Sequence, residues 1–181
     1  MDARTKNLTL RICQAAVIAG LLFAGQVALA GIPNVELVTV IIIVSAVVFP
    51  PAVTFSAVAV FCTCEWLLWG FGYWVISYYI YWPLLAGASL TLRLIKKPLA
   101  KNAVAVAIAV VMTAFFGVLT SLVDITMAGV PSDIFWEYLG IKYVVGIWFY
   151  VTHIVSNTVI VAVLFTPLTK AGETVERLRG N

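Results

Sequence analysis

The sequence predicts an all-α integral membrane protein: one domain over residues 1–181, a bundle of six transmembrane helices with both termini on the cytoplasmic side. Three observations predict it. First, 63% of the 181 residues are hydrophobic and only 10% are charged, with a mean hydropathy of +1.08. A soluble domain carries about 25% charged residues, so these few charges cannot cover a water-facing surface and much of it faces lipid. Second, breakers and charges cut the chain into six apolar segments. Third, ten of the eleven Lys and Arg residues fall where an even number of spans puts them on one side. Together these exclude a soluble enzyme, a nucleic-acid-binding domain and a disordered chain.

A hydrocarbon core of about 30 Å needs about 20 apolar residues as a helix. The first span covers about 8–30 and ends at Gly31-Ile32-Pro33-Asn34. Its basic start (Arg4, Lys6, Arg11) and its Ala28-Leu29-Ala30 tail mimic a signal peptide, but it is expected to stay as a membrane helix. The second span, about 35–49, is short and ends at Pro50-Pro51, because a residue before proline avoids the helical region. The third covers about 52–69, and Gly70-Phe71-Gly72 turns the chain. The fourth covers about 73–95 and runs into the basic stretch Lys96-Lys97-Pro98-Leu99-Ala100-Lys101. The fifth covers about 102–127, the sixth about 136–165, and Pro167 is expected to close the last helix.

Arg4, Lys6 and Arg11, then Arg93, Lys96, Lys97 and Lys101, then Lys170, Arg177 and Arg179 form three groups. Six spans place all three in the cytoplasm, and Lys142 alone departs from the rule. The opposite connections carry acids and aromatics. Cys13, Cys62 and Cys64 lie in apolar runs and are expected to pack rather than to form a disulfide or metal framework.

Ionisable side chains at membrane depth are costly and mark candidate sites. Glu36, Glu65, Asp124 and Lys142 converge from four helices on the outer half. Lys142 can instead tie helices together by pairing with Asp124, Glu65 or Glu137, since buried charges are normally paired. On the sixth span Lys142, Gly146, Tyr150, His153 and Asn157 follow at intervals of 4, 4, 3 and 4, one face of a helix, with Tyr143 beside them. Such a stripe faces protein or a water-filled cavity. Trp69, Tyr73 and Trp74 suit an interfacial aromatic belt, whereas Tyr78, Tyr81 and Trp82 lie deeper and suit either stacking on a flat ring or a cation, or packing in the core. Ala15/Ala19 and Ala16/Gly20 are small pairs four apart, which let a second helix approach closely, either within the bundle or from another membrane subunit. No catalytic or nucleotide-binding motif occurs, so no enzyme activity and no cofactor are expected.

Six short helices, cytoplasmic termini, an Ala-rich first helix and an outward polar-aromatic pocket together resemble the substrate-binding S component of energy-coupling factor (ECF) vitamin transporters. Ile32-Pro33-Asn34-Val35-Glu36 is similar to the Pro-Asn-Val segment opening the second helix in one group of S components, which includes cobalamin-type carriers. Trp69-Gly70-Phe71-Gly72-Tyr73-Trp74 is similar to that group's Gly-Phe-Gly-Pro-Trp loop, with Tyr73 in place of the proline. The resemblance implies a binding subunit in a prokaryotic plasma membrane. It would capture a vitamin, a precursor or a related micronutrient from outside and deliver it with a membrane coupling subunit and a pair of ATPases. Ala15-x-x-x-Ala19 matches the family's docking motif. The binding residues expected are Asn34, Glu36, Glu65, Trp69, Trp74, Tyr78, Trp82, Asp124, Lys142, Tyr143, Tyr150, His153 and Asn157. Acids beside aromatic rings suit an amine-bearing flat heterocycle; Lys142 and His153 suit a carboxylate or phosphate. Rival readings are a membrane enzyme using His153, Glu65 or Asp124, and a pore or structural subunit.

Overall fold

The computed structural model describes residues 2–180, and among them no strand occurs. The helices are α1 (Ala3–Leu29), α2 (Val38–Val48), α3 (Pro51–Trp69), α4 (Tyr73–Ser89), α5 (Pro98–Met127), α6 (Phe135–Val145) and α7 (Ile147–Gly180), with a 3-10 turn at Leu90–Leu94 after α4. Five of these helices are long and apolar enough to cross a membrane, and α2 is a shorter apolar one. The protein is thus an all-α, membrane-embedded chain. Many large apolar side chains lie on its outer surface, among them Leu67, Val111, Val144 and Trp148, as lipid contact requires.

Proline sets several boundaries. Pro51 opens α3 and Pro98 opens α5, where the missing N–H costs nothing. This starts α5 four residues before the expected Asn102. Phe49 is extended ahead of Pro50 and stops α2. Pro83 and Pro167, in contrast, sit inside helices, which membrane surroundings tolerate when neighbouring groups satisfy the freed carbonyl. The expected stop at Pro167 is therefore corrected: α7 continues to Gly180.

Two further expectations need correction. The second span was expected over 35–49, but only 38–48 is helical. At 1.5 Å per residue α2 is about 16 Å long. It is buried on nearly every side, enclosed by α1, α3, α4 and α7, which is why its sequence is apolar all round. The sixth span, expected as one helix over 136–165, is divided at Gly146 into α6 and α7. No residue of α6 is buried; its apolar side chains line an open face rather than a core. The main core lies around α2, with Leu22, Ile42, Ile43, Phe61 and Leu85 fully enclosed.

The basic groups gather at one end. The Arg93 Nε donates to the Ala46 carbonyl at 2.7 Å and its Nη2 to the Phe49 carbonyl, capping the C-terminus of α2. Gln14 of α1 donates to Glu176 of α7 at 2.7 Å. Lys96, Lys101 and Lys170 line one small cavity. The side chain of Arg179 lies outside the described residues. Ala15 and Ala19, expected at a partner surface, turn inward and pack in the core, at 8% and 4% exposure. Ala16 and Gly20 face outward instead, and an added Cβ on Gly20 would meet nothing within 4 Å.

Candidate functional site

The connection between α1 and α2 carries the first functional side chains. Asn34 takes a left-handed conformation (φ 63), which Asn tolerates better than most residues, and its carbonyl accepts from the Ser156 hydroxyl of α7. This fixes the connection against α7. Two residues on, the Glu36 Oε2 accepts from the Thr39 N–H at 2.8 Å. A carboxylate so placed satisfies an orphan donor and complements the dipole of α2. Its other oxygen, Oε1, faces His153 Nε2 at 3.7 Å, beyond hydrogen-bond reach. Burial, the largest influence, pushes the Glu36 carboxyl up; the His153 ring and Thr39 outweigh it and hold the group below its ordinary 4.5.

Beneath this pair, Asn157 Nδ2 donates to Thr39 Oγ1 at 3.3 Å and to Thr113 Oγ1 at 3.0 Å, joining α7 to α2 and α5. One and two turns further along α7, Val161 and Phe165 are fully buried. The polar stripe therefore ends at Asn157 in a closed floor, not in a path towards the basic end.

An aromatic wall completes the enclosure. Tyr78 and Trp82, one turn apart on α4, have ring centroids 5.5 Å apart, and Tyr81 packs on Phe116 of α5 at 4.7 Å. The edge of Phe116 meets His153 at 5.8 Å. Together these elements bound a cavity of about 210 Å³, whose walls include Gln26, Glu36, Tyr78, Trp82, Phe116 and His153. Four of those residues, Gln26, Glu36, Trp82 and His153, carry a buried polar atom without a hydrogen bond, and Glu36 Oε1 and His153 Nε2 among these atoms face each other. The cavity thus has a carboxylate, an imidazole, an amide and an indole among the side chains of its wall.

A second, wider and more open cavity of about 810 Å³ adjoins the first, with Phe149 lining both. Here Lys142 Nζ donates to Asp124 Oδ2 at 2.6 Å, joining α6 to α5. The Tyr150 hydroxyl is 3.0 Å from Ser121 Oγ, and the Tyr143 ring packs on Tyr150 at 4.9 Å.

Of the residues singled out in the sequence, Asn34, Glu36, Tyr78, Trp82 and His153 line the smaller cavity, and Asp124, Lys142 and Tyr150 line the larger. Asn157 lines neither cavity and is fully buried one turn beyond His153. Tyr143 and Trp74 touch the site only through Tyr150 and Tyr78. Glu65 and Trp69 line neither cavity: Glu65 is buried within the bundle and Trp69 is 58% exposed. The four charges thus do not converge on one spot, and His153, Glu65 and Asp124 are not assembled as an acid–base set. The sequence reading missed Gln26, Phe116 and Phe149. Gln26 is the one of these with a signal, an uncharged amide near the outer end of an apolar span. Among the described residues, no three His, Cys, Asp or Glu side chains are grouped as a metal site would need. No protein-family model, curated protein or solved structure matches the chain.

Proposed function

We propose that this chain is the high-affinity substrate-binding membrane subunit of an ECF-type importer. It captures a vitamin, a vitamin precursor or a related small heterocycle from outside and passes it on through a membrane coupling subunit and two ATPases. The observation that carries the reading is a cavity walled by Gln26, Glu36, Trp82 and His153 together with aromatic rings, lined by other residues than the lysine-lined cavity. The positive-inside rule places the lysine end, and with it both termini, in the cytoplasm of a prokaryotic cell; α2 then counts as the sixth, short membrane helix. The cavity then faces outward. In this reading ATP-driven delivery falls to partners, since the sequence carries no nucleotide-binding motif. Ala16 and Gly20 offer those partners an outward small-residue face on α1.

The test is equilibrium binding to the purified protein without ATP, screened across water-soluble vitamins, their precursors and modified bases. Saturable binding with Kd below about 1 μM, a binding free energy of about −8.2 kcal/mol, is expected for one of them. A screen with no binder overturns the proposal.

A further inference from the structure

We infer that the cavity beside Glu36 and His153 selects a compact aromatic nitrogen base carrying an exocyclic amino group, a ring of aminopyrimidine or aminopurine type. This rests on the reading of that cavity as the receptor's substrate site.

Size narrows the ligand first. Pockets that enclose drug-sized molecules measure about 300–1,000 Å³; this one is about 210 Å³. One ring or two fused rings with short substituents fit it without drawing on the adjoining cavity. Shape narrows it further: Tyr78, Trp82, Phe116 and Phe149 line the cavity with ring surfaces, which pack best on another flat ring.

Charge and hydrogen-bond polarity then fix the chemistry. Gln26 and the ionised Glu36 bring acceptor oxygens to this wall, Glu36 Oε1 beside His153 Nε2, and a ligand with N–H donors suits them. Trp82 Nε1 can only donate and needs a ligand acceptor, which a ring nitrogen or carbonyl supplies. His153 Nε2 serves either role according to its tautomer. No Lys or Arg lines this cavity, and Lys142 is held by Asp124 in the neighbouring one. A carboxylate- or phosphate-headed ligand would face the Glu36 carboxylate with no fixed cation to offset it. An amino group beside a ring nitrogen, in contrast, gives Glu36 a charge-assisted hydrogen bond and Trp82 an acceptor on the same flat edge.

The experiment measures Kd on the full-length protein for matched probes: adenine against purine, guanine against hypoxanthine, and cytosine against 2-hydroxypyrimidine. Nicotinate and hydroxocobalamin represent the carboxylate and corrinoid classes. At least one amino base is expected to bind about 10–100-fold tighter than its des-amino partner, the value of a hydrogen bond to a charged group. Glu36→Gln is expected to remove that preference. Trp82→Phe, which keeps a ring and loses the N–H, is expected to weaken the amino base about 10-fold and decides the matter should Glu36→Gln not fold. Equal affinity for the paired probes, or variants that bind the amino base as the wild type does, overturns the inference. Nicotinate or hydroxocobalamin binding where the amino bases do not overturns this ligand class and leaves the receptor reading standing. No binder in this set or in the wider vitamin screen overturns both.

Discussion

Asn157 carries more of the site than its single side chain suggests. It is fully buried, and its Nδ2 serves hydroxyls on two other helices. Asn157→Leu keeps the number and branching of heavy atoms but leaves Thr39 and Thr113 without that donor. Orphaning buried partners costs about 1–3 kcal/mol, while interhelical hydrogen bonds in a membrane average about 0.6 kcal/mol. A loss of about 1 kcal/mol is expected, read as a thermal midpoint in detergent lowered by roughly 2–4 °C for a chain of this size. Glu36 adds a pH signature. Its folded pKa lies below the ordinary 4.5, so its contribution to stability is complete above that value and is lost as pH falls through the folded pKa. The gap in midpoint between wild type and Glu36→Gln should therefore hold just above pH 4.5 and shrink in more acid buffer. A gap that widens on acidification would show that Glu36 is held neutral.

At the scale of elements, the break between α6 and α7 shapes the mouth of the site. A Cβ on Gly117 or on Gly146 would stand 2.8 Å from the Tyr150 ring, so both glycines are needed for that ring to seat between α5 and the break. The seated ring brings its hydroxyl to Ser121, and the adjacent Phe149 divides the two cavities. Gly117→Ala should expel the ring and lower stability by about 1–3 kcal/mol, the cost of overpacking, measured by thermal denaturation. Phe149→Ala should merge the cavities and raise the ligand dissociation rate, measured by stopped-flow or filter binding; an unchanged rate would mean that Phe149 is no barrier. The same elements show what was legible beforehand. The limits of α1, α3 and α4 follow from Pro, Gly and charge, so their spans could be read within a few residues. The division at Gly146 could not, because apolar content continues on both sides and a glycine inside a membrane helix is ordinary. Glu36, Tyr78, Trp82 and His153 stood out through polarity or depth. Phe116 and Phe149 did not, since an aromatic in an apolar run looks the same whether it meets lipid or a ligand. Glu65 misled for the opposite reason: the cost of a charge at depth marks a residue but not the helix face on which it is buried.

For the whole molecule, the proposed function raises the question of how a small bundle with a closed floor would deliver a ligand. The buried row from Asn157 through Val161 to Phe165 blocks an inward route through α7's inner face, so release calls for movement of the entire protein or a change forced on it from outside. Either needs a surface that a partner can grip within the membrane. On α1 the inward pair Ala15 and Ala19 is committed to the core, while Ala16 and Gly20, one residue round the helix, stand on the outer face with exposed Ile12, Val17 and Leu21 beside them. A second helix can approach closely only where such small residues repeat at four. Ala16→Trp and Gly20→Trp should therefore leave Kd for the ligand and the thermal midpoint unchanged but cut uptake at least about 10-fold in cells that supply the coupling subunit and ATPases. Ala19→Trp should instead lower the midpoint, since its side chain would have to enter a filled core. Uptake that survives both outward substitutions would place the coupling contact on another helix. Ligand binding lost with them would tie this face to the cavity itself, through the same α1 helix that carries Gln26 less than two turns further on.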